Sequence, residues 1–330
     1  MSGIGGMNMR KNISQCIDIN SKYCPCLLAD TNHCIFCSHL KGETTCNCNW
    51  SGLCILYEQH WQHKKIEQSE QPIQTRSEEQ VEFIIKQQIG QNTYILEFEV
   101  TTELAVQLQK IGSFVFVRCP SDQHFFYFPI NIMKVEGNTL QVGIESIGPK
   151  SIKILGSNNN KLIVRGPYYN GVLGGPWIDN ITDGNIILVA GGIGQAPAFP
   201  LAAKLMSRSN EVMAMLAPGK VGKIFIDQEL AKMGVQVHNV PSLRQIGMPM
   251  LREWFDLKPD LIVSAGPDEQ HYGVIAAMQA AGVNIPMVAT NNATMCCGEG
   301  ICGSCLKKTK DNKSIRMCKQ QTDFSNIIED

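Results

Sequence analysis

The cysteines are the residues of this chain whose spacing bears most directly on chemistry. The sequence contains 14 of them in 330 residues. Eight lie between Cys16 and Cys54, five lie between Cys296 and Cys318, and Cys119 stands alone. Cysteines that only fill a core would be scattered, whereas clusters indicate ligation or disulfides. The first ten residues have no apolar secretion signal, so we expect a reducing, cytoplasmic compartment in which metal ligation is favoured over disulfides.

The carboxyl-terminal cysteines have the spacing C-x4-C-x2-C with one distal cysteine. They are Cys297, Cys302, Cys305 and Cys318. Plant-type 2Fe–2S ferredoxins use this spacing. The glycines within it can adopt positive φ and aim backbone amides at the sulfur atoms. They are Gly298, Gly300 and Gly303. Two cysteine pairs can also form a zinc site, but the four-residue gap and the glycine density favour a 2Fe–2S cluster.

The amino-terminal cysteines predict a small metal-stabilised module over residues 1–62. They are Cys16, Cys24, Cys26, Cys34, Cys37, Cys46, Cys48 and Cys54. Such a short segment has too little apolar content to fold unaided, so bound metal is expected to stabilise it. Two interpretations stay open: one or two further iron–sulfur clusters, or structural zinc in a docking module.

The intervening sequence predicts an α+β multidomain protein. Residues 63–80 are polar and read as a linker. Residues 81–176 contain six short strands separated by Gly, Asn and Pro, which predicts a small antiparallel β-barrel. Residues 177–290 alternate apolar strands with helices, which predicts a doubly wound parallel α/β domain. Residues 291–330 form the cysteine-rich 2Fe–2S tail.

Charge and hydropathy exclude two classes of partner. The formal net charge is -1, which predicts no attraction to nucleic acid or to anionic membranes. The most apolar stretch, residues 186–206, is interrupted by glycines and prolines, so we expect no membrane span.

Two glycine turns mark a nucleotide crevice. Gly191, Gly192 and Gly194 stand between a buried strand and a helix, where free amides and the helix dipole stabilise a pyrophosphate. Gly266-Pro267 follows a later strand, and the carboxyl ends of strands form the ligand crevice of an open α/β sheet. Taken alone, each is also compatible with an ordinary turn.

The order of these features resembles the ferredoxin–NADP reductase superfamily. It is most similar to electron-transfer subunits of the dihydroorotate dehydrogenase and sulfide dehydrogenase type, over residues 81–330. The resemblance implies that the barrel binds FAD, that the α/β domain binds NAD(P)H, and that the tail passes electrons to a partner flavoprotein or other redox subunit. The family's nicotinamide–pyrophosphate loop matches Gly191, Gly192, Gly194, Ala196 and Pro197. Its Cys-Gly-Pro motif matches Ala265, Gly266 and Pro267, with Ala265 in place of Cys.

The flavin motif is matched less completely. The family strand R-x-P-[IL]-[ST]-[IV] corresponds to Tyr127–Ile132, which assigns flavin contacts to Pro129, Ile130 and Asn131. An aromatic residue, Tyr127 or Phe128, replaces the arginine that holds the FAD pyrophosphate, a contact worth about 1.5–3 kcal/mol. The resemblance implies that Lys150 and Ser151 compensate. A loop containing Gly166, Asn170 and Gly171 is implied to pack on the flavin.

These features predict an electron-transfer oxidoreductase subunit. NAD(P)H gives two electrons at once and a 2Fe–2S cluster accepts one, so a flavin must stand between them. No general acid or base is required, and no catalytic side chain is predicted. Two alternatives stay open: a non-catalytic metal-binding docking subunit with a degenerate flavin site, and a self-sufficient NAD(P)H oxidoreductase acting on a small molecule such as sulfide.

Overall fold

A computed structural model describes residues 17–18, 23, 76–123, 126–157, 159–300 and 302–329. The chain divides into two compact units. Ser77–Asn292 forms the larger unit, and Met1–Arg76 together with Ala293–Asp330 forms the second, here called the cysteine unit.

The larger unit begins with a closed barrel of six antiparallel strands in the order β1-β2-β5-β4-β3-β6. They are β1 (Ser77–Gln88), β2 (Thr93–Glu99), β3 (Phe114–Arg118), β4 (Phe128–Glu136), β5 (Thr139–Glu145) and β6 (Lys161–Tyr168). Alternate residues point inward, so that Phe83, Leu96 and Val142 meet in one apolar core. The predicted barrel is confirmed. Its first strand begins at Ser77, inside the predicted linker, because Ser77 to Glu82 pair with β6.

A six-stranded sheet follows in the order β10-β9-β8-β11-β12-β7. Its strands are β7 (Val172–Leu173), β8 (Asn185–Gly191), β9 (Glu211–Ala217), β10 (Gln236–Asn239), β11 (Leu261–Ala265) and β12 (Met287–Thr290). β8 to β12 pair in parallel and β7 pairs antiparallel with β12. β11 and β12 are buried throughout, as expected for strands covered on both faces. The predicted parallel α/β domain is confirmed.

Helices connect the strands of the barrel and of the sheet. They are α1 (Thr102–Leu108), α2 (Pro149–Leu155), α3 (Gly175–Asn180), α4 (Gln195–Met206), α5 (Asp227–Lys232), α6 (Met248–Trp254) and α7 (Asp268–Ala280). In the described ranges, no helix combines the length and the apolar character that crossing a bilayer requires. The chain runs from β8 outward through β9 and β10, and then returns to β11 on the other side of β8. The strand order therefore reverses between β8 and β11.

The described carboxyl-terminal part of the cysteine unit contains a two-stranded hairpin. Its strands are β13 (Leu306–Lys308) and β14 (Ser314–Arg316), which pair antiparallel. Ile315 in β14 is buried, as are Met317 and Phe324 further along the chain. The backbone N–H of Met317 donates to the carbonyl of Cys305 at 3.1 Å, which ties the segment before Cys318 to the cysteine loop.

Candidate functional site

The first glycine turn lies at the carboxyl end of the central strand β8. The strand ends at Gly191, a 3-10 turn covers Gly192–Gly194, and α4 begins at Gln195. Gly192 has a φ of 57°, which favours glycine. A Cβ on Gly194 would lie 2.4 Å from the carbonyl oxygen of Ala265. The absence of a side chain therefore lets this turn approach the end of β11.

The second turn, Gly266-Pro267, leaves β11 directly beside the first. Ala190 in β8 and Ala265 in β11 are register partners, so both turns emerge at the same sheet edge. This edge is where the strand order reverses, and ligands of open α/β sheets bind at such a point. The structure therefore brings together the two motifs that lie about 70 residues apart in the sequence.

Two residues that sequence reasoning missed hold the second turn in place. The Thr290 hydroxyl accepts a hydrogen bond from the Gly266 N–H at 3.1 Å and donates to the Gly266 carbonyl at 3.0 Å. The Asn292 side-chain amide donates to the same carbonyl at 2.6 Å. Both residues stand at or just after the carboxyl end of β12, a position that could have identified them.

A buried histidine, also missed, supports this network. His271 on α7 is fully buried; its Nδ1 lies 2.8 Å from the Ser264 hydroxyl and its Nε2 lies 3.0 Å from the Thr290 carbonyl. Since a carbonyl only accepts, Nε2 carries the proton and the Ser264 hydroxyl donates to Nδ1. Burial lowers the pKa of His271 from 6.5 to about 4, so the ring is neutral at physiological pH.

The His271→Gln variant should lose part of the acid sensitivity of folding. Folding lowers the histidine pKa, so its contribution to stability is complete above about pH 6.5 and is lost as the pH falls towards 4. The wild-type chain should lose about 3 kcal/mol more unfolding free energy than the variant between pH 7 and pH 4. Urea unfolding at a series of pH values measures this difference. Parallel pH profiles of the two proteins would contradict it.

The barrel touches the first glycine turn through β5. A Cβ on Gly143 would lie 2.8 Å from Ile193 Cδ1 and 3.0 Å from Ala196 Cβ. Gly143 therefore allows the nucleotide turn to pack directly on the barrel wall. This contact brings a ligand at the turn close to any group held on the outside of β4 and β5.

A cleft of about 270 Å³ opens between the barrel and α4. Met133, Pro197 and Phe199 provide apolar walls, and Asn131 is an amide in its lining. Gly171 lies directly against this amide, because a Cβ on Gly171 would be 2.6 Å from Asn131 Oδ1. Most of the exposed cleft surface is apolar, although lysine side chains also line it, and such a surface suits a flat aromatic ring. The structure thus brings together three predicted cofactor residues, Asn131, Gly171 and Pro197.

The carboxyl-terminal cysteines converge in part. Cys305 and Cys318 are buried, and Cys318 shares hydrogen bonds with the side chains of Cys297 and Cys305. The hydrogen bond with Cys318 lowers the pKa of Cys305 to about 7. The Cys302 side chain is exposed and lies 3.1 Å from Ser304 Oγ. Within the described part of the chain, no three His, Cys, Asp or Glu side chains are arranged to hold a metal ion as they stand.

The backbone of this loop has the predicted conformation. The φ angles are 71° at Gly298, 73° at Gly300 and 78° at Gly303, which confirms the expected positive φ. The Glu299 N–H donates to Cys297 Sγ at 3.3 Å, so an amide already points at a cysteine sulfur. Four cysteines in one region of the chain, with a backbone amide aimed at one sulfur, are donors of the kind that an iron–sulfur cluster takes.

Comparison with known proteins finds electron transfer subunits among the sequence relatives of this chain. No protein-family model matches the chain. The electron transfer subunit of dihydroorotate dehydrogenase B (NAD(+)) from Clostridium perfringens is 26% identical over 220 residues, 66% of this chain and 85% of that protein. The subunit from Streptococcus pneumoniae is 25% identical over 225 residues, 65% and 86% of the two chains. The probable subunit from Methanothermobacter thermautotrophicus is 22% identical over 248 residues, 73% and 85%.

The chain is a homologue of these electron transfer subunits. The identity is modest, and the match covers more than four fifths of each relative. A solved NADH-dependent reduced ferredoxin-NADP oxidoreductase, studied for flavin-based electron bifurcation, has a TM-score of 0.61 at 19% identity over 75% of this chain and 89% of that chain. Full-length CYP116B46 from Tepidiphilus thermophilus has a TM-score of 0.51 at 12% identity over 80% and 44%. These two structures support the fold.

Tyr127, the first residue of the segment matched to the flavin motif, directly precedes β4. Tyr127 is 1% exposed, and the guanidinium groups of Arg165 and Arg118 lie 4.4 and 5.1 Å from its ring centroid. Burial raises the pKa of Tyr127, so the ring is neutral. Tyr127 therefore supplies no charge for a pyrophosphate. Lys150 Nζ donates to the Tyr127 carbonyl at 2.8 Å, and the Ser151 hydroxyl donates to a carbonyl of its own helix start.

The remaining predicted flavin contacts are backbone or core positions. Ile130 points into the barrel core, and Pro129 is the register partner of Phe116 on β3. Gly166 pairs with Ser77 on β1. Asn170 is fully buried, and its carbonyl accepts a hydrogen bond from the Asn291 amide at 2.7 Å. Ile130 therefore offers no side chain to a ligand outside the barrel, whereas Pro129 is half-buried on the opposite face of the strand.

The predicted amino-terminal metal ligands lie outside the described residues. They are Cys16, Cys24, Cys26, Cys34, Cys37, Cys46, Cys48 and Cys54.

Proposed function

We propose that this chain is the electron-transfer subunit of an NAD(P)H-dependent flavin and iron–sulfur oxidoreductase. The observation that carries the proposal is the packing of Gly143, on the barrel, against Ile193 of the nucleotide turn and Ala196 of α4. A nicotinamide donor held at that turn is thereby adjacent to a ring held in the neighbouring cleft. The homology to electron transfer subunits supports the same function.

The residues of the sheet edge would bind and orient NAD(P)H. The N–H groups of the turn at Gly192–Gly194 stabilise the pyrophosphate at the start of α4. The Gly266-Pro267 turn faces the same edge, and Thr290 and Asn292 keep its backbone in place. These groups supply binding and orientation and transfer no proton.

The cleft beside β4 would hold the flavin ring. Asn131 offers one amide to the ring edge, and the apolar walls of Met133 and Phe199 exclude water. Lys150 is the predicted cation on the pyrophosphate side, and Arg118 and Arg165 are further cations near the ring of Tyr127. When bound, FAD accepts a hydride from NAD(P)H and a 2Fe–2S cluster carries single electrons onward.

The cysteine set Cys297, Cys302, Cys305 and Cys318 would hold that cluster. The positive-φ glycines of the loop and the Glu299 amide support this assignment, since amide hydrogen bonds to sulfur stabilise an anionic cluster. The electrons then pass to a partner flavoprotein or other redox subunit, in the cytoplasm. The amino-terminal cysteines would hold a further iron–sulfur cluster or zinc.

A second candidate function follows from Tyr127. The arginine of the flavin motif is absent, and the tyrosine that replaces it is buried beneath two other arginines. A chain that had lost FAD would still carry the cysteine loop, and would act as a metal-binding docking subunit.

Anaerobic purification of the full chain, with flavin, iron, sulfide and zinc quantified on one sample, separates these candidates. We expect stoichiometric FAD, iron and sulfide, together with NAD(P)H-dependent reduction of ferricyanide and viologen. Iron and sulfide without flavin, and no reduction of either acceptor, would favour the docking subunit. Zinc at the carboxyl-terminal cysteines would refute the electron-transfer proposal.

A further inference from the structure

Four charged side chains are buried together in the cysteine unit. They are Asp18, Arg76, Glu299 and Lys319. The side chains of Lys319 and Asp18 are each 2% exposed, that of Arg76 is 5% exposed and that of Glu299 is 27% exposed. Buried charges at this depth are stable only when they are paired and hydrogen-bonded.

The four groups form a closed ring in which acids and bases alternate. Arg76 donates to Asp18 at 2.7 Å and to Glu299 at 2.6 Å. Lys319 donates to Glu299 at 2.7 Å and to Asp18 at 2.5 Å. Two positive and two negative charges cancel, so the ring has no net charge. Removal of any one member leaves a net unit charge in a buried place.

The ring joins the segments that carry the cysteines. Glu299 lies in the loop between Cys297 and Cys302, and Lys319 directly follows Cys318. The ion pair between Glu299 and Lys319 therefore links the two parts of the predicted ligand set. Sequence patterns gave no sign of it, because each member is an ordinary charged residue in the sequence.

We infer that this ring positions the cysteine segments around the cluster and, by its neutrality, sets the reduction potential of that cluster. The inference rests on the proposed function. Reduction of a 2Fe–2S cluster by one electron adds one negative charge. A net positive charge nearby stabilises the reduced form and raises the potential, whereas a net negative charge lowers it. Glu299 and Lys319 are thus positioning residues and potential-determining residues.

Two single variants of opposite charge test the inference. Lys319→Met leaves a net negative ring and should lower the potential, whereas Glu299→Gln leaves a net positive ring and should raise it. Each variant should change the ratio of reduced to oxidised cluster at a fixed potential by about tenfold. For a one-electron couple this change corresponds to a shift of about 59 mV in the reduction potential. The double variant Lys319→Met/Glu299→Gln restores neutrality and should return to the wild-type potential. A redox titration followed by the electron paramagnetic resonance of the reduced cluster measures all four proteins.

The control is Lys86→Met, the same substitution in the Lys86–Glu97 pair on the surface of the barrel in the larger unit. It should leave the potential unchanged. Shifts of the same sign in both single variants, or no shift in either, would overturn the inference. If the single variants lose iron, the double variant decides between the outcomes. A double variant that keeps the cluster at the wild-type potential supports a charge-balancing ring. A double variant that loses the cluster refutes such a ring.

The outcome for the wild-type chain separates this inference from the proposed function. A wild-type protein without a 2Fe–2S signal refutes the proposed function. If the wild-type protein has that signal and the variants have unchanged potentials, the inference about the ring is refuted and the proposed function stands.

Discussion

The Cys305→Ala variant should lose the 2Fe–2S cluster and with it the reduction of viologen, while retaining flavin and NAD(P)H-dependent reduction of ferricyanide. Cys305 is buried and interacts with Cys318, a second predicted ligand that is also buried. Loss of a direct ligand should exceed the roughly 10–100-fold loss in metal affinity that follows removal of an outer-shell partner. Iron and sulfide analysis of the purified variant, with steady-state rates for both acceptors, measures the effect.

The matched control is Cys296→Ala. Cys296 is adjacent to a predicted ligand in the sequence, but its side chain is exposed. This variant should keep iron, sulfide and both activities. Full iron content in Cys305→Ala, or equal loss in the two variants, would remove Cys305 from the ligand set.

The Gly194→Ala variant should raise the KM for NAD(P)H by about tenfold or more and destabilise the larger unit by about 1–3 kcal/mol. The new Cβ would lie 2.4 Å from the Ala265 carbonyl oxygen and 2.7 Å from the Gly266 Cα. All of these neighbours are backbone atoms, so no side-chain rotation relieves the contact. The two turns must separate, and the nucleotide crevice between them changes shape. Steady-state kinetics and urea unfolding measure the two effects.

Gly273→Ala is the control for this substitution. Gly273 lies inside α7, and a Cβ there would be 3.7 Å from the Met248 side chain, an ordinary contact. This variant should be unchanged in KM and equal or higher in stability, because alanine is the better helix former. A KM for Gly194→Ala equal to that of Gly273→Ala would show that the approach of the two turns does not matter for the nucleotide.

The barrel and the parallel sheet were predictable because each has a local signature. Alternation of apolar and polar residues, as at Val81 and Phe83, indicates a strand with one buried face. An uninterrupted apolar run such as Ile186–Ala190 indicates a strand that is buried on both faces. The glycines of the cysteine loop were predictable for the same reason, since a spacing that wraps a cluster requires positive φ locally. The short helix α1 was missed, because seven residues within a β-rich region give a weak periodic signal.

The sequence by itself determined the order of the barrel, the sheet and the cysteine segments, as well as the positions where glycine is required, because periodicity and spacing are properties of neighbouring residues. Only the tertiary structure decided which distant residues meet. Thr290 holds Gly266 across 24 residues, Arg76 pairs with Glu299 across 223, and Lys319 pairs with Asp18 across 301. Contacts of this kind depend on chain topology and burial. The sequence around a single charged or hydroxyl residue does not indicate which distant residue it will bind.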